Sequence, residues 1–334
     1  MRYALFLGCN IPARVPTYES SVRAVLSELG VKVPNVREFQ PGPPEAAVSF
    51  DVSKVDLKDI REFACCGYPM RTTDRRSWLV AAARNMALAE KANLDMLVLC
   101  QCCLGSLKHA AHALAGDPKL LAAVNRRLAP HGLFYSGKTK ITHLFSLLHD
   151  EIGVEAIKER VRIPLKGLVT ASHTGCHALR PSRIMEFDDP LAPRILDDLI
   201  AATGAESAPY PEKLTCCGAP QTGGNDALAE KIMMRKIAGA RKAGAVRLVT
   251  GCPWCQLQFE GVQERAAGGV EVLTPVLYPR LLGFAMGLFK EGQDLFSDKS
   301  CPYVPMPEEP AAAPAPAEKA PEKDDSQPAG EQNV

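Results

Sequence analysis

Twelve cysteines in 334 residues, ten of them in a pattern that occurs twice, constrain this chain more than any other feature. "ACCGYP" at Cys65 and Cys66 is matched by "TCCGAP" at Cys216 and Cys217, and "VLCQCC" at Cys100 to Cys103 by "TGCPWC" at Cys252 to Cys255. The offsets are 151 residues for the first match and 152 for the second. A single cysteine leads each half, Cys9 in "LGCN" and Cys176 in "TGCH", at an offset of 167. Each half therefore reads as a lead cysteine, a long gap, CCG, a gap of 33 or 34 residues, and CxxC. The first half carries about fifteen extra residues between lead and CCG, and the proline-bearing "PNVREFQPGPPEAAVSF" is the expected loop insertion.

Hydrophobic patterning keeps the same register. "YALFLG" and "GLVTAS" predict buried strands that end just before the lead cysteines, with helical runs "SVRAVLSELG" and "PRILDDLIAATG" after them. Each CCG precedes a long amphipathic helix, "RRSWLVAAARNMALAEKA" or "DALAEKIMMRKIAGARKAG". Apolar strands "MLVLC" and "VRLVTGC" then deliver each CxxC, and "SLKHAAHALAG" and "LQFEGVQERAA" follow. Alternation of strand and helix predicts an α/β fold of two duplicated, Rossmann-like domains with parallel sheets, at 1–160 and 161–297. Sites in such sheets form beyond the carboxyl ends of the strands, which is where the cysteines fall. Helix N-termini there offer N–H groups and positive partial charge to thiolates, and the CCG glycines permit a tight turn. Residues 298–334 predict a disordered tail rich in proline, alanine and glutamate, since nothing in them can build a core. From residue 302 onward it carries a formal charge of about −5, leaving about +6 on the body.

A net charge of +1 and the absence of a basic stripe give no argument for nucleic acid. "MRYALFLGCN" is too short an apolar run for a secretory signal. "VLYPRLLGFAMGLF" is interrupted by Pro279 and Arg280 and falls short of the roughly 20 residues that span a bilayer. The expectation is a cytoplasmic protein without direct membrane insertion, able to dock on a membrane-bound partner. That compartment keeps thiols reduced, so the cysteines point to metal or redox chemistry rather than a disulfide framework. Thioredoxin-type chemistry uses one CxxC and gives no role to the other matched cysteines. Structural zinc takes four thiolates, yet the spacing exceeds that of a zinc ribbon and each half offers five; zinc in one half stays open. Iron-sulfur clusters take all-thiolate sites, and five exceeds what an ordinary four-iron cubane needs. Spacing alone leaves the choice there.

The doubled pattern, with "SHTGCHALRP" and "TPVLYPRLLGFAMG", resembles the cysteine-rich CCG domain family of CoB-CoM heterodisulfide reductase B subunits, over residues 1 to about 292. The resemblance implies a non-cubane [4Fe-4S] cluster with five cysteine ligands in each half. Carried over, these are Cys9, Cys65, Cys66, Cys100 and Cys103 in the first, and Cys176, Cys216, Cys217, Cys252 and Cys255 in the second. It further implies an iron-sulfur catalytic subunit that cleaves a small-molecule disulfide between its two clusters. The electrons would come from the family's ferredoxin-like iron-sulfur C subunit, fed by its flavoprotein A subunit, because this chain has no CxxCxxCxxxCP motif and no flavin or nucleotide fingerprint. Other CCG-domain oxidoreductases, serving lactate oxidation, thiol:fumarate reduction or quinone-linked transfer, would use the same cysteines. A non-catalytic zinc-binding protein is the reading from a different class.

His177, next to Cys176, is the candidate catalytic proton donor; its alternative role is to hydrogen-bond a cluster sulfur. His173 reads as structural, and His109 and His112 as surface or packing residues. Cys102 is a spare thiol or a neighbour of the first cluster, not a ligand, and Cys301 a free thiol. Arg180 and Arg183 read either as contacts for an anionic substrate or as solvated surface. Pro253 and Trp254 would shape and shield a cluster.

Overall fold

Strand and helix alternate through the computed structural model of the chain, which describes residues 1–34, 55–266 and 273–288, without the side chains of 264 and 265. The expected insertion over 34–50, apart from Pro34, together with Cys301 and the tail lies outside the described residues. Strands β1 (Arg2–Phe6), β2 (Asp56–Asp59), β3 (Asp95–Val98) and β4 (Ile141–His143) form a parallel sheet in the order β2-β1-β3-β4. Strands β5 (Val169–His173), β6 (Glu206–Ser207), β7 (Arg247–Thr250) and β8 (Thr274–Leu277) form a second, in the equivalent order β6-β5-β7-β8. The duplication read from the cysteines is thus a duplication of topology. The division proposed at residue 160 falls in a turn after helix Val154–Lys158.

In this order the chain leaves β1 to one side and returns as β3 on the other, which makes the β1/β3 edge a topological switch point. Phe6 pairs with Val98 and His173 with Thr250, so lead strand and CxxC strand end level with each other in both sheets. Cys9 and Cys100 emerge together at one switch point, and Cys176 and Cys252 at the other. Strands buried on both faces require unbroken apolar runs, and "YALF", "MLV" and "LVT" supply them. The long helices after each CCG start at matched caps. Asp74 accepts from the backbone N–H of Arg76 and Ser77 ahead of helix Arg75–Lys91, and Asn225 accepts from that of Leu228 ahead of helix Asp226–Lys242.

Both hydrophobic clusters draw on both halves. One joins Trp78, Met86 and Leu104 to Met233 and Phe259; the other joins Tyr18, Leu26 and Phe145 to Leu199, Tyr278 and Leu282. Tyr18 Oη lies 2.9 Å from the carbonyl oxygen of Leu99 and 3.0 Å from that of Gly251, the residues just before Cys100 and Cys252. One buried phenol therefore fixes the two CxxC strand ends against each other.

His143, at the end of β4, accepts from Phe145 N through Nδ1 (3.1 Å) and is buried. Burial pulls its pKa down to about 4. The unfolded chain takes up a proton near pH 6.5 that the folded chain refuses until about pH 4, so stability is lost as pH falls through that window, at about 1.4 kcal/mol per unit. His143→Asn, which keeps an acceptor for Phe145 N, is expected to reduce the fall in thermal midpoint between pH 7.5 and pH 5.5. An equally steep fall in the variant would show that His143 is not its source.

Candidate metal centres

Each lead cysteine follows a glycine with positive φ, Gly8 (68°) and Gly175 (85°). Cys100 caps helix Gln101–Ala115 and Cys252 caps helix Pro253–Leu257, so both CxxC motifs straddle a strand end and a helix N-terminus. The CCG turns close the arrangement. Gly67 and Gly218 have φ of 81° and 90°, and their N–H groups donate to Cys65 Sγ (3.4 Å) and Cys216 Sγ (3.3 Å). A Cβ on Gly67 would sit 3.0 Å from Trp78 Cδ1, and one on Gly218 would collide with the carbonyl oxygen of Ala229. The turns are glycine because helix backbone lies directly behind them.

The result is two adjacent cavities. Cys9, Cys65, Cys66, Cys100 and Cys103 line the first; Cys176, Cys216, Cys217, Cys252 and Cys255 line the second. Cys102, Tyr68 and Trp254 line both, so they form the wall between them. Thiol contacts run from Cys9 to Cys65, Cys66, Cys103 and Cys100, and from Cys176 to Cys216, Cys217, Cys255 and Cys252. The two runs meet where Cys100 Sγ lies 4.0 Å from Cys252 Sγ.

Packed this closely, the sulfurs cannot ionise independently. Hydrogen bonding from Cys66 and Cys9 pulls the Cys65 thiol far down, and Cys176 and Cys217 do the same for Cys216. Their neighbours Cys9 and Cys176 are pushed up by donating to them, then by burial. A cationic metal centre resolves this by replacing the shared protons. Five matched thiols per cavity, beside the shared Cys102, and backbone N–H donors aimed at one sulfur in each fit an all-thiolate iron-sulfur centre. The groups Cys100, Cys102 and Cys252, and His173, Cys217 and Cys255, also lie close enough to share a metal ion.

His177 stands at the dividing wall. Its Nδ1 is 3.3 Å from Cys102 Sγ, its Nε2 is 3.3 Å from Tyr68 Oη, and its ring packs edge-on against Tyr68 at 5.0 Å. Burial lowers its pKa. Cys102 lies 3.6 Å from Cys252 Sγ, so this thiol of the first half faces the second. His109 Nδ1 is 3.2 Å from an Arg71 nitrogen and His112 is exposed. Arg180 and Arg183 are exposed, and the Arg180 guanidinium reaches the carbonyl oxygen of Leu214 (3.4 Å).

Sequence reasoning missed three residues here. His173, read as structural, has Nε2 3.3 Å from Cys255 Sγ. Gln101 is buried with neither amide atom hydrogen-bonded among the described residues, on the lining of the second cavity although it belongs to the first half. Lys236 is buried among backbone carbonyls behind the second CCG. The available signal for His173 and Lys236 was their place in the duplication, where the first half has Phe6 and Asn85. Gln101 had none, because its surroundings come from the other half.

A family model described as a cysteine-rich domain matches residues 36–108 and 170–260, one match per half. The B subunit of the ferredoxin/F(420)H(2)-dependent CoB-CoM heterodisulfide reductase of Methanosarcina acetivorans is 33% identical over 295 residues, 86% of this chain and 89% of the relative. The chain belongs to the cysteine-rich CCG family. Among other members, the 8-methylmenaquinol:fumarate reductase membrane anchor subunit of Wolinella succinogenes is 31% identical, covering 86% of this chain and 92% of that one. A hypothetical protein from Helicobacter pylori has the same fold, with a TM-score of 0.63 at 18% identity; the match covers 91% of this chain and 52% of that chain, about half its length. Among the described residues of this CCG protein, no helix is long and apolar enough to cross a membrane.

Proposed function

We propose that the chain is the iron-sulfur catalytic subunit of a heterodisulfide reductase-like complex, with a non-cubane [4Fe-4S] cluster in each cavity and a small-molecule disulfide reduced between them. The carrying observation is that two cavities, each lined by one set of five matched cysteines, share one wall, made by Tyr68, Cys102 and Trp254. A disulfide needs two electrons, and two adjacent clusters supply one each together with Lewis-acidic iron. The ligands are Cys9, Cys65, Cys66, Cys100 and Cys103 for one and Cys176, Cys216, Cys217, Cys252 and Cys255 for the other. Tyr68 and Trp254, packed edge-on with ring centroids 5.6 Å apart, exclude water from the shared wall. Gln101 offers an unpartnered amide to whatever enters the second cavity. His177 delivers the proton, since it sits at the wall between a thiol and a phenol. Electrons reach the chain from separate ferredoxin-like and flavoprotein subunits of the same complex.

Iron and sulfide analysis after anaerobic purification tests the clusters, with about eight irons per chain expected; zinc as the main metal would remove the enzyme reading. Reduction of a heterodisulfide by reduced viologen dye tests the reaction. His177→Gln is expected to slow it by roughly 10- to 100-fold with iron content intact; an unchanged rate across pH would leave His177 a structural neighbour.

The Wolinella relative favours a second reading, an electron-transfer subunit of a fumarate reductase. Full clusters without disulfide turnover, and association with a fumarate-reducing flavoprotein, would select it.

A further inference from the structure

Equivalent elements build the two centres, so a difference between equivalent positions acts on one centre alone. Helices Arg75–Lys91 and Asp226–Lys242 lie behind the CCG turns at the same 151-residue offset as the CCG cysteines, and β1 and β5 share the 167-residue offset of the lead cysteines. In the first helix Asn85 is neutral; its Nδ2 donates to the carbonyl oxygens of Cys65 (3.1 Å) and Ala81 (3.0 Å), and its Oδ1 accepts from Ala64 N (2.9 Å). Its counterpart is Lys236, fully buried. Lys236 Nζ donates to Tyr210 Oη (3.1 Å) and to the carbonyl oxygens of Glu212 (2.6 Å) and Lys213 (3.0 Å). Three acceptors around three donors is the geometry of an ammonium, not of a neutral amine. Burial draws its pKa down to about 8, while Cys217, Cys255 and Cys216 act to raise it. The Glu212 carboxylate, 3.7 Å from the largely exposed Arg235, is a weaker favourable neighbour of Lys236 than the three cysteines are. At the strand ends, apolar Phe6 of the first half is replaced by His173, whose Nε2 is 3.3 Å from Cys255 Sγ. A metal-bound thiolate accepts and does not donate, so His173 Nε2 carries the proton in that contact.

Reduction adds negative charge to a cluster, and nearby cations and donors to its sulfurs stabilise the reduced form. We propose that Lys236 and His173 hold the second-half cluster at a higher reduction potential than the first, so that electrons entering the chain settle at the second centre. This rests on the reading that each cavity holds a cluster. Water beside the exposed Cys9 favours reduction at the first centre. A full charge where solvent does not reach is weakly screened, and it outweighs the exposure of one ligand.

Potentiometric titration of the anaerobic full-length chain, followed by electron paramagnetic resonance, tests this. Cys66→Ala removes the first-half signal and so assigns the two potentials. Wild type is expected to show the higher potential for the second half. Lys236→Gln should lower that potential by at least about 59 mV, a tenfold change in a one-electron equilibrium, and shift the equilibrium of the other centre by less than about threefold. His173→Phe, which recreates the first-half residue, should lower the same potential, and Lys236→Arg should leave it in place. The proposal is overturned if the second half has the lower potential in wild type. It is equally overturned if iron-replete Lys236→Gln and His173→Phe leave both potentials unmoved, or if they move both alike. If Lys236→Gln sheds iron from the second half, His173→Phe decides alone. Wild type without iron would overturn the cluster reading itself, an outcome distinguishable from unmoved potentials in an iron-replete protein.

Discussion

Cys217→Ala is expected to reduce the iron of the anaerobically purified protein from about eight to about four per chain, with sulfide falling in parallel. Cys217 is 3% exposed and lies between Cys216 and Cys255, with Cys255 separating it from the Cys100–Cys252 contact that joins the two sets. Its loss opens one cavity and leaves the other complete. Cys66→Ala should have the mirrored effect, since Cys66 occupies the same position between Cys65 and Cys103. Cys102→Ala is the internal control. Its thiol lines both cavities without belonging to either set, so iron should stay at about eight. Full iron in Cys217→Ala, or loss of half the iron in Cys102→Ala, would require a different ligand assignment.

Gly218→Ala is expected to be strongly destabilising. Left-handed backbone costs an L-residue about 1–2 kcal/mol, and here φ is 90°. The added Cβ also runs into the carbonyl oxygen of Ala229, backbone of a helix that cannot yield as a side chain would. Together these put the loss at about 3 kcal/mol or more, which lowers the thermal midpoint by roughly 6–12 °C for a body of this size. Because the displaced turn carries Cys216 and Cys217, iron at the second centre should fall with it. Gly224→Ala is the comparison: its φ is not positive and the nearest obstacle is the carbonyl oxygen of Gln221 at 3.7 Å. Equal midpoints for the two variants would show that the CCG turn is not held by contact with its helix.

Much of this arrangement was legible because it repeats. Two copies of a cysteine register, each aligned with an apolar strand and an amphipathic helix, identify the element order even where one copy alone would be ambiguous. The strands before Cys9, Cys100, Cys176 and Cys252 follow directly from apolar runs too short for a helix, and the parallel sheets from the helices between them. Less legible were residues whose meaning comes from the opposite half. Cys102 looked like a surplus thiol of the first CxxC, yet it sits 3.6 Å from Cys252. His177 looked like a companion of Cys176, yet its ring lies between Cys102 and Tyr68, both of the first half.

By itself the sequence determined the α/β class, the duplication, the ten matched cysteines and their delivery to strand ends, because periodicity and spacing are local properties of the chain. Only the tertiary structure decided that the two cysteine sets face each other across one wall, and that His173 touches Cys255 while Lys236 brings a buried charge to one side. The facing of the two sets depends on packing between residues 152 positions apart, the His173 contact on residues 82 apart, and the surroundings of Lys236 on residues more than 20 apart. No local pattern encodes that packing, since both hydrophobic clusters are built from apolar faces of both halves.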